Sequence, residues 1–237
     1  MTIDSGLLVV DKPAGLTSFQ CVHRIRRVLG EKLRVGHCGT LDPMAEGVLL
    51  ILFGPATRLQ ENFLGLEKQY WFRARWGSMT DTGDREGKET ARFNFAHVSR
   101  ADLDQAVFNF QGEQMQTAPA IAALKYKGRR YYEWARKGIE IPRASRSIRI
   151  ASFQVLAQEG EFWEGRVVCS RGTYIRTLAE DVAKSLGSGA HLDALVRERV
   201  GPYTRAQALP WPTLETLNRD ALLTHVQDPL DHHARLV

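Results

Sequence analysis

From Lys68 to Trp76 the chain alternates strictly, with Tyr70, Phe72, Ala74 and Trp76 on one side and Trp71, Arg73 and Arg75 on the other. A period of two is the signature of a strand with one face in a core and the other toward water. Leu7-Leu8-Val9-Val10 reads as a second, buried strand, closed by the turn-like Asp11-Lys12-Pro13-Ala14-Gly15. The segments from Ile148 to Ala157 and from Phe162 to Cys169 read as a strand pair joined through Gly160. Helical spacing interrupts the strands. Ser18 is placed to cap a helix reaching about Leu29, with Phe19, Val22, Ile25 and Leu29 inward and Gly30 ending it. Arg100 to Phe110 reads as another helix. Thr173 is placed to cap a third, with Ile175, Leu178, Val182 and Leu186 inward and Gly187 at its end. Gly77 to Gly87 reads as a polar loop. Strands and helices do not alternate regularly, which predicts an α+β fold with a mixed, mostly antiparallel sheet and flanking helices.

A chain of 237 residues suits one large domain or two small ones. Its net charge of +5 favours an anionic partner. No window reaches the length of a transmembrane helix, and no membrane association is expected. Met1-Thr2-Ile3-Asp4 lacks the basic start of a secretory signal. Three cysteines, Cys21, Cys38 and Cys169, form no C-x-x-C pair, which suits a reduced cytoplasmic setting.

The run Val35-Gly36-His37-Cys38-Gly39-Thr40-Leu41-Asp42-Pro43-Met44-Ala45-Glu46-Gly47-Val48 sets the Asp42 carboxylate in a short loop with a glycine on each side, just before an apolar run to Phe53. Pro43 pushes Asp42 toward extended backbone. A carboxylate held there suits a fixed nucleophile or base. Taken alone, Asp42 reads first as a turn-organising residue. His37, Cys38 and Asp42 make a poor metal site, because adjacent residues on extended backbone point opposite ways. A thiol nucleophile at Cys38 gains little from the adjacency of His37. Asp81 to Gly87 faintly suggests a calcium loop, yet Arg92 stands where such a loop needs glutamate. His225, His232 and His233 read as exposed residues rather than ligands. No G-x-x-x-x-G-K-[ST] occurs, which weighs against a P-loop nucleotide enzyme. No metal and no cofactor are expected.

Between Lys125 and Arg149 nine basic residues face only Glu133 and Glu140, with Tyr126, Tyr131, Tyr132 and Trp134 interleaved. Cations for phosphates and rings for bases suit a nucleic acid. A solvated basic helix with an aromatic core stripe suits the pattern equally.

Taken together, these segments resemble the tRNA pseudouridine synthase B family. The resemblance runs from Val9-Val10-Asp11-Lys12-Pro13-Ala14-Gly15-Leu16-Thr17-Ser18 through Gly36-His37-Cys38-Gly39-Thr40-Leu41-Asp42-Pro43 and Lys68-Gln69-Tyr70 to Gly77-Ser78-Met79-Thr80-Asp81-Thr82-Gly83-Asp84. It continues through Lys125, Gly128, Tyr132 and Ala135-Arg136-Lys137-Gly138 to Cys169-Ser170-Arg171-Gly172-Thr173-Tyr174-Ile175-Arg176-Thr177-Leu178 and His191-Leu192-Asp193-Ala194-Leu195-Val196-Arg197. It implies the pseudouridine synthase fold, with a central active-site cleft, and a cofactor-free isomerisation of uridine in the T-loop of tRNA after base flipping.

The resemblance also implies roles. Asp42 falls on the catalytic aspartate, and Arg176 pairs with it. Tyr70 packs on the target base and is a candidate for the proton-removal step. Tyr174 belongs to the active-site pair with Arg176, Leu195 lines the base pocket, and His37 contacts the remodelled RNA loop. Lys68 and Asp84 join the substrate-binding candidates. Read without the family, Arg176 pairs as well with Glu180 along a helix, Tyr70 and Leu195 are ordinary core, and Tyr174 is a packing residue. Residues 1–212 then form the catalytic domain and 213–237 its closing tail, a short form without the C-terminal PUA-type domain of many bacterial members. Cys38 stands where many members have threonine, and Ala118-Pro119-Ala120-Ile121-Ala122-Ala123 lacks the usual hydroxyls. The expected partner is the tRNA T-arm, with no protein partner, for a monomer. Two alternatives stand beside the isomerase: a non-catalytic RNA-binding or tRNA-folding module on the same scaffold, and a carboxylate-dependent hydrolase with Asp84 as its second acid.

Overall fold

The structure, a computed structural model, describes residues 4–230. In chain order its strands are β1 (Gly6–Lys12), β2 (Val35–His37), β3 (Glu46–Phe53), β4 (Lys68–Trp76), β5 (Ser78–Thr80), β6 (Glu89–Arg92), β7 (Gly112–Thr117), β8 (Lys125–Tyr126), β9 (Arg129–Arg130), β10 (Ser145–Glu159), β11 (Phe162–Cys169), β12 (Ala190–Val200), β13 (Tyr203–Thr204) and β14 (Leu209–Pro210). The α-helices are α1 (Ser18–Leu29), α2 (Gln60–Gly65), α3 (Arg100–Asn109), α4 (Tyr131–Ala135), α5 (Ile175–Ser185), α6 (Trp211–Thr216) and α7 (Arg219–Leu223). The chain forms two compact units, one running to Tyr70 and resuming at Val196, the other spanning Trp71–Leu195. No described helix is long and apolar enough to cross a membrane.

In the first unit β3 is central. It pairs antiparallel with β1 from Gly6↔Phe53 to Lys12↔Gly47, antiparallel with β2, and parallel with β12 at Arg197↔Gly47. Its unbroken apolar run reflects cores on both faces. Leu49, Ile51 and Phe53 meet α1, Trp211, Leu214 and Leu222. Val48, Leu50 and Leu52 meet Cys38, Phe63 and Tyr203. The segment after Pro212 thus adds Leu214 and Leu222 to this core, and Gln227 exchanges two backbone hydrogen bonds with Leu7, of 2.9 and 3.0 Å. His225 is exposed; Met1 to Ile3, His232 and His233 lie outside the described residues.

Helix α1 corrects the sequence expectation. Thr17, not Ser18, is the N-cap, accepting from Gln20 N–H at 3.1 Å in a capping box. The buried stripe is Ser18, Cys21, Val22, Ile25 and Leu29, while Phe19 is 68 % exposed. With Ser18 turned inward, Phe19 lies about a quarter-turn around the helix from it.

The second unit is built on the β10–β11 hairpin, turning at Gly160, with β7 on the outer side of β10. Trp163 stacks on Trp76 at 5.6 Å and meets Phe72 edge-on at 5.0 Å, so the inward row of β4 fills this core. The polar loop at Gly77–Gly87 begins with a strand the sequence did not reveal, β5, paired with β6. Thr173 does not cap α5; its hydroxyl bonds the Ser170 carbonyl, and Tyr174 takes the N-cap position. Between β7 and β10 lies the basic insert, a β8–β9 hairpin followed by α4. Its aromatic residues divide. Tyr131 is buried and its hydroxyl accepts from Ala144 N–H at 3.1 Å. Tyr126, Trp134 and Tyr132 instead carry Lys127, Arg129 and Arg136 over their rings at 5.5–5.7 Å.

Candidate active site

Asp42 is half-buried on an irregular loop, and three side chains of the same unit hold that loop through its backbone. Lys12 is fully buried, and its ammonium donates to the carbonyls of Pro13 (2.8 Å), Leu16 (2.6 Å) and Pro43 (3.2 Å). Ser18 accepts from Leu41 N–H at 2.9 Å and donates to the Leu41 carbonyl at 3.2 Å. Arg197, 1 % exposed, donates to the carbonyls of Val48 (2.7 Å), Gly39 (3.1 Å) and Thr40 (3.4 Å). The carbonyls on both sides of Asp42 are therefore fixed by charged donors, whose bonds exceed neutral ones in strength. Gly47 lets the loop re-enter β3: its φ is +104°, and a Cβ would lie 2.2 Å from the Arg197 carbonyl oxygen.

The electrostatics of the loop follow from burial. Desolvation lowers the pKa of Lys12 to about 8, against the pull of Cys21 and Asp42. Burial, with the Arg197 charge, lowers His37, so its imidazole is neutral at pH 7. Its Nδ1 is buried with no hydrogen-bond partner. Burial pushes the Cys38 thiol up to about 12, which removes it as a nucleophile at neutral pH. Farther along, Lys68 is 5 % exposed and donates to the carbonyls of Leu64 (2.6 Å) and Leu66 (2.5 Å) at the end of α2. Tyr70 follows on the same face of β4, 8 % exposed.

In the second unit Arg176 stands in the first turn of α5, 4 % exposed. Its guanidinium donates to the carbonyls of Thr82 and, at 3.0 Å, Ile121, and its Nε lies 3.9 Å from Asp84 Oδ2. Asp84 is 5 % exposed; its Oδ1 accepts from the Thr82 hydroxyl (2.7 Å) and Glu86 N–H (3.0 Å). The Gly83 and Arg85 backbones bond Leu192 at 3.0 and 2.8 Å, which ties this loop to β12. Glu180, the helical alternative for Arg176, accepts from Lys184 at 3.3 Å. Tyr174 packs against Ala118, Ala122 and Tyr131. Leu195 is buried in β12. The alanine segment meets Arg176 through the Ile121 backbone carbonyl, a contact that needs no hydroxyl. No cluster of three potential metal ligands occurs among the described residues.

A sequence profile described as TruB family pseudouridylate synthase, N-terminal domain, matches residues 26–175. The chain belongs to this family. It is 40 % identical to tRNA pseudouridine synthase B of Endomicrobium trichonymphae, over 90 % of this chain and 93 % of the relative. It is 41 % identical to tRNA pseudouridine synthase B of Azoarcus sp. (strain BH72), over 99 % and 78 %. Among solved structures it resembles a chain of a Cbf5–Nop10–Gar1 complex, with TM-score 0.69 and 29 % identity, covering 90 % of this chain and 54 % of that one. A chain of an H/ACA RNP bound to a substrate RNA containing 2′-deoxyuridine follows, with TM-score 0.64, 28 % identity, and 89 % and 52 % covered. The chain spans about half the length of these two. The α+β expectation, with its mixed and mostly antiparallel sheet, holds as the pseudouridine synthase fold.

Sequence reasoning gave Lys12, Ser18 and Arg197 no role in holding the Asp42 loop. Arg197, set between Val196 and Glu198 in a strand that also holds Asp193 and Arg199, carried no signal of buried partners. Lys12 carried none beyond its place before Pro13.

Proposed function

We propose that this pseudouridine synthase isomerises uridine to pseudouridine in the T-loop of tRNA, with the Asp42 carboxylate as the reacting group. The observation that carries the reading is the Asp42 loop, fixed on both sides by the buried donors Lys12, Ser18 and Arg197. A nucleophile on a backbone that does not yield meets its target without reorganisation. The reaction breaks the N1–C1′ bond, turns the uracil, joins C5 to C1′, loses the C5 proton and takes up one proton at N1, so the product is an isomer and no oxidant or reductant is needed. Asp42 attacks the ribose or the base, or removes a ribose proton. Tyr70, or water it orients, takes the C5 proton. Leu195 and Tyr174 line the base. Arg176 is the counter-charge for the reacting carboxylate, and Asp84 steadies Arg176. His37, neutral and with Nδ1 unspent, contacts the opened RNA loop. Lys68 supports the strand that carries Tyr70.

Extruding the uridine costs a few kcal/mol. The basic insert offsets this by pairing its cations with phosphates. The chain works on tRNA in the cytoplasm as a monomer, which light scattering checks. Nucleoside mapping of an unmodified tRNA transcript tests the function: pseudouridine appears at the T-loop uridine. Tight tRNA binding with no pseudouridine makes the chain an RNA-folding module instead.

A further inference from the structure

Gln116 and Arg146 are direct register partners across β7 and β10. Residues directly opposite in an antiparallel pair present their side chains on one face. These two stand at the neck of the basic insert, where Ala118 N–H bonds the Ala144 carbonyl at 3.0 Å. Both reach Tyr174. The Gln116 amide grips the Tyr174 backbone twice: Oε1 accepts from Tyr174 N–H at 2.8 Å, and Nε2 donates to the Tyr174 carbonyl at 3.0 Å. Gln116 is 4 % exposed, so water does not compete for these bonds. Tyr174 is the N-cap of α5 and makes no side-chain cap bond, so Gln116 acts as the cap from a distant strand. Arg146 lays its guanidinium 4.7 Å from the centroid of the Tyr174 ring. Gly172 makes the room: a Cβ there would lie 2.7 Å from Arg146 Nη1. Two residues past Tyr174, Arg176 bonds Ile121 of the same insert.

We propose that Gln116 and Arg146 are positioning residues that set the Tyr174 ring and the first turn of α5, and so the placement of Arg176, from the neck of the RNA-binding insert. The inference rests on the roles given to Tyr174 and Arg176 above. Gln116 fixes the backbone and Arg146 fixes the ring. A shift of about 1 Å at a reacting group is enough to cost orders of magnitude in rate.

The test uses Gln116→Leu, which removes both bonds at similar volume, and Arg146→Lys, which keeps the charge but loses the planar stack. Filter binding gives the tRNA affinity, and tritium release from C5-labelled tRNA under saturating single-turnover conditions gives the rate. Each variant is expected to bind within about twofold of the native chain and to react about tenfold slower or worse. A rate within about twofold of native in both variants, or a loss confined to affinity, overturns the proposal. If Gln116→Leu does not fold, Arg146→Lys carries the same test alone. If the native chain itself releases no tritium, the assigned reaction fails separately, and hydrogen exchange at the Tyr174 amide decides. Exchange at least about tenfold faster in a Gln116 variant than in the native chain supports the clamp, and equal exchange overturns it.

Discussion

The Nε–H of Arg197 donates to the carbonyl of Val48 at 2.7 Å, deep inside the first compact unit. The rest of the guanidinium turns to Gly39 and Thr40, which precede Asp42. A strand residue thus fixes the loop that carries Asp42. Arg197→Met keeps the aliphatic bulk and leaves three carbonyls without this donor. It is expected to lower stability by about 2–4 kcal/mol in urea unfolding and to slow the reaction more than it weakens tRNA binding. A variant as stable and as fast as the native chain contradicts this role.

Gly47 tests the same junction from the backbone. Its φ of +104° and the 2.2 Å approach of the Arg197 carbonyl leave no room for a methyl group. Gly47→Ala should cost about 2 kcal/mol or more, read as a lower urea midpoint with an unchanged slope.

Lys12 predicts a pH dependence. Its pKa in the folded chain, about 8, lies below the ordinary 10.5, so the unfolded chain binds more protons between those values. Stability contributed at this site therefore rises as pH climbs from about 8 toward 10.5, and the cost of the buried charge is fully present below pH 8. Unfolding of the native chain and of Lys12→Met at pH 7.5 and 9.5 checks the sign. The native chain should gain on the variant at the higher pH. A gap that stays constant or moves the other way contradicts it.

How much of this was legible beforehand depends on the range of the interaction. The alternation of β4 and the apolar run of β3 announced themselves because burial repeats with the strand period. Helix α1 was legible as a helix but not in register, because Ser18 is buried by its bonds to Leu41, a partner far along the chain. Thr173 was misjudged as a cap because Gln116, from another strand, satisfies the Tyr174 amide. Lys12 and Arg197 spend their charge on carbonyls, which leave no side-chain pattern to read. The Asp42 loop itself offers a fixed carboxylate or a turn, and only the family resemblance puts the carboxylate first and singles out Arg176.

Asp84 lies 3.9 Å from the Arg176 Nε and is shielded from water. Asp84→Asn keeps an oxygen for the Thr82 hydroxyl and the Glu86 amide but removes the charge. It is expected to cost about 1–3 kcal/mol of stability and about tenfold or more in single-turnover rate, with tRNA affinity within about twofold. Unchanged turnover would show that Arg176 needs no steadying from Asp84.

Tritium release from tRNA labelled at uridine C5 tests the central claim most directly, comparing the native chain with Asp42→Asn. Release is expected from the native chain and none above background from Asp42→Asn, while both bind tRNA alike. Equal release from the two proteins would contradict it.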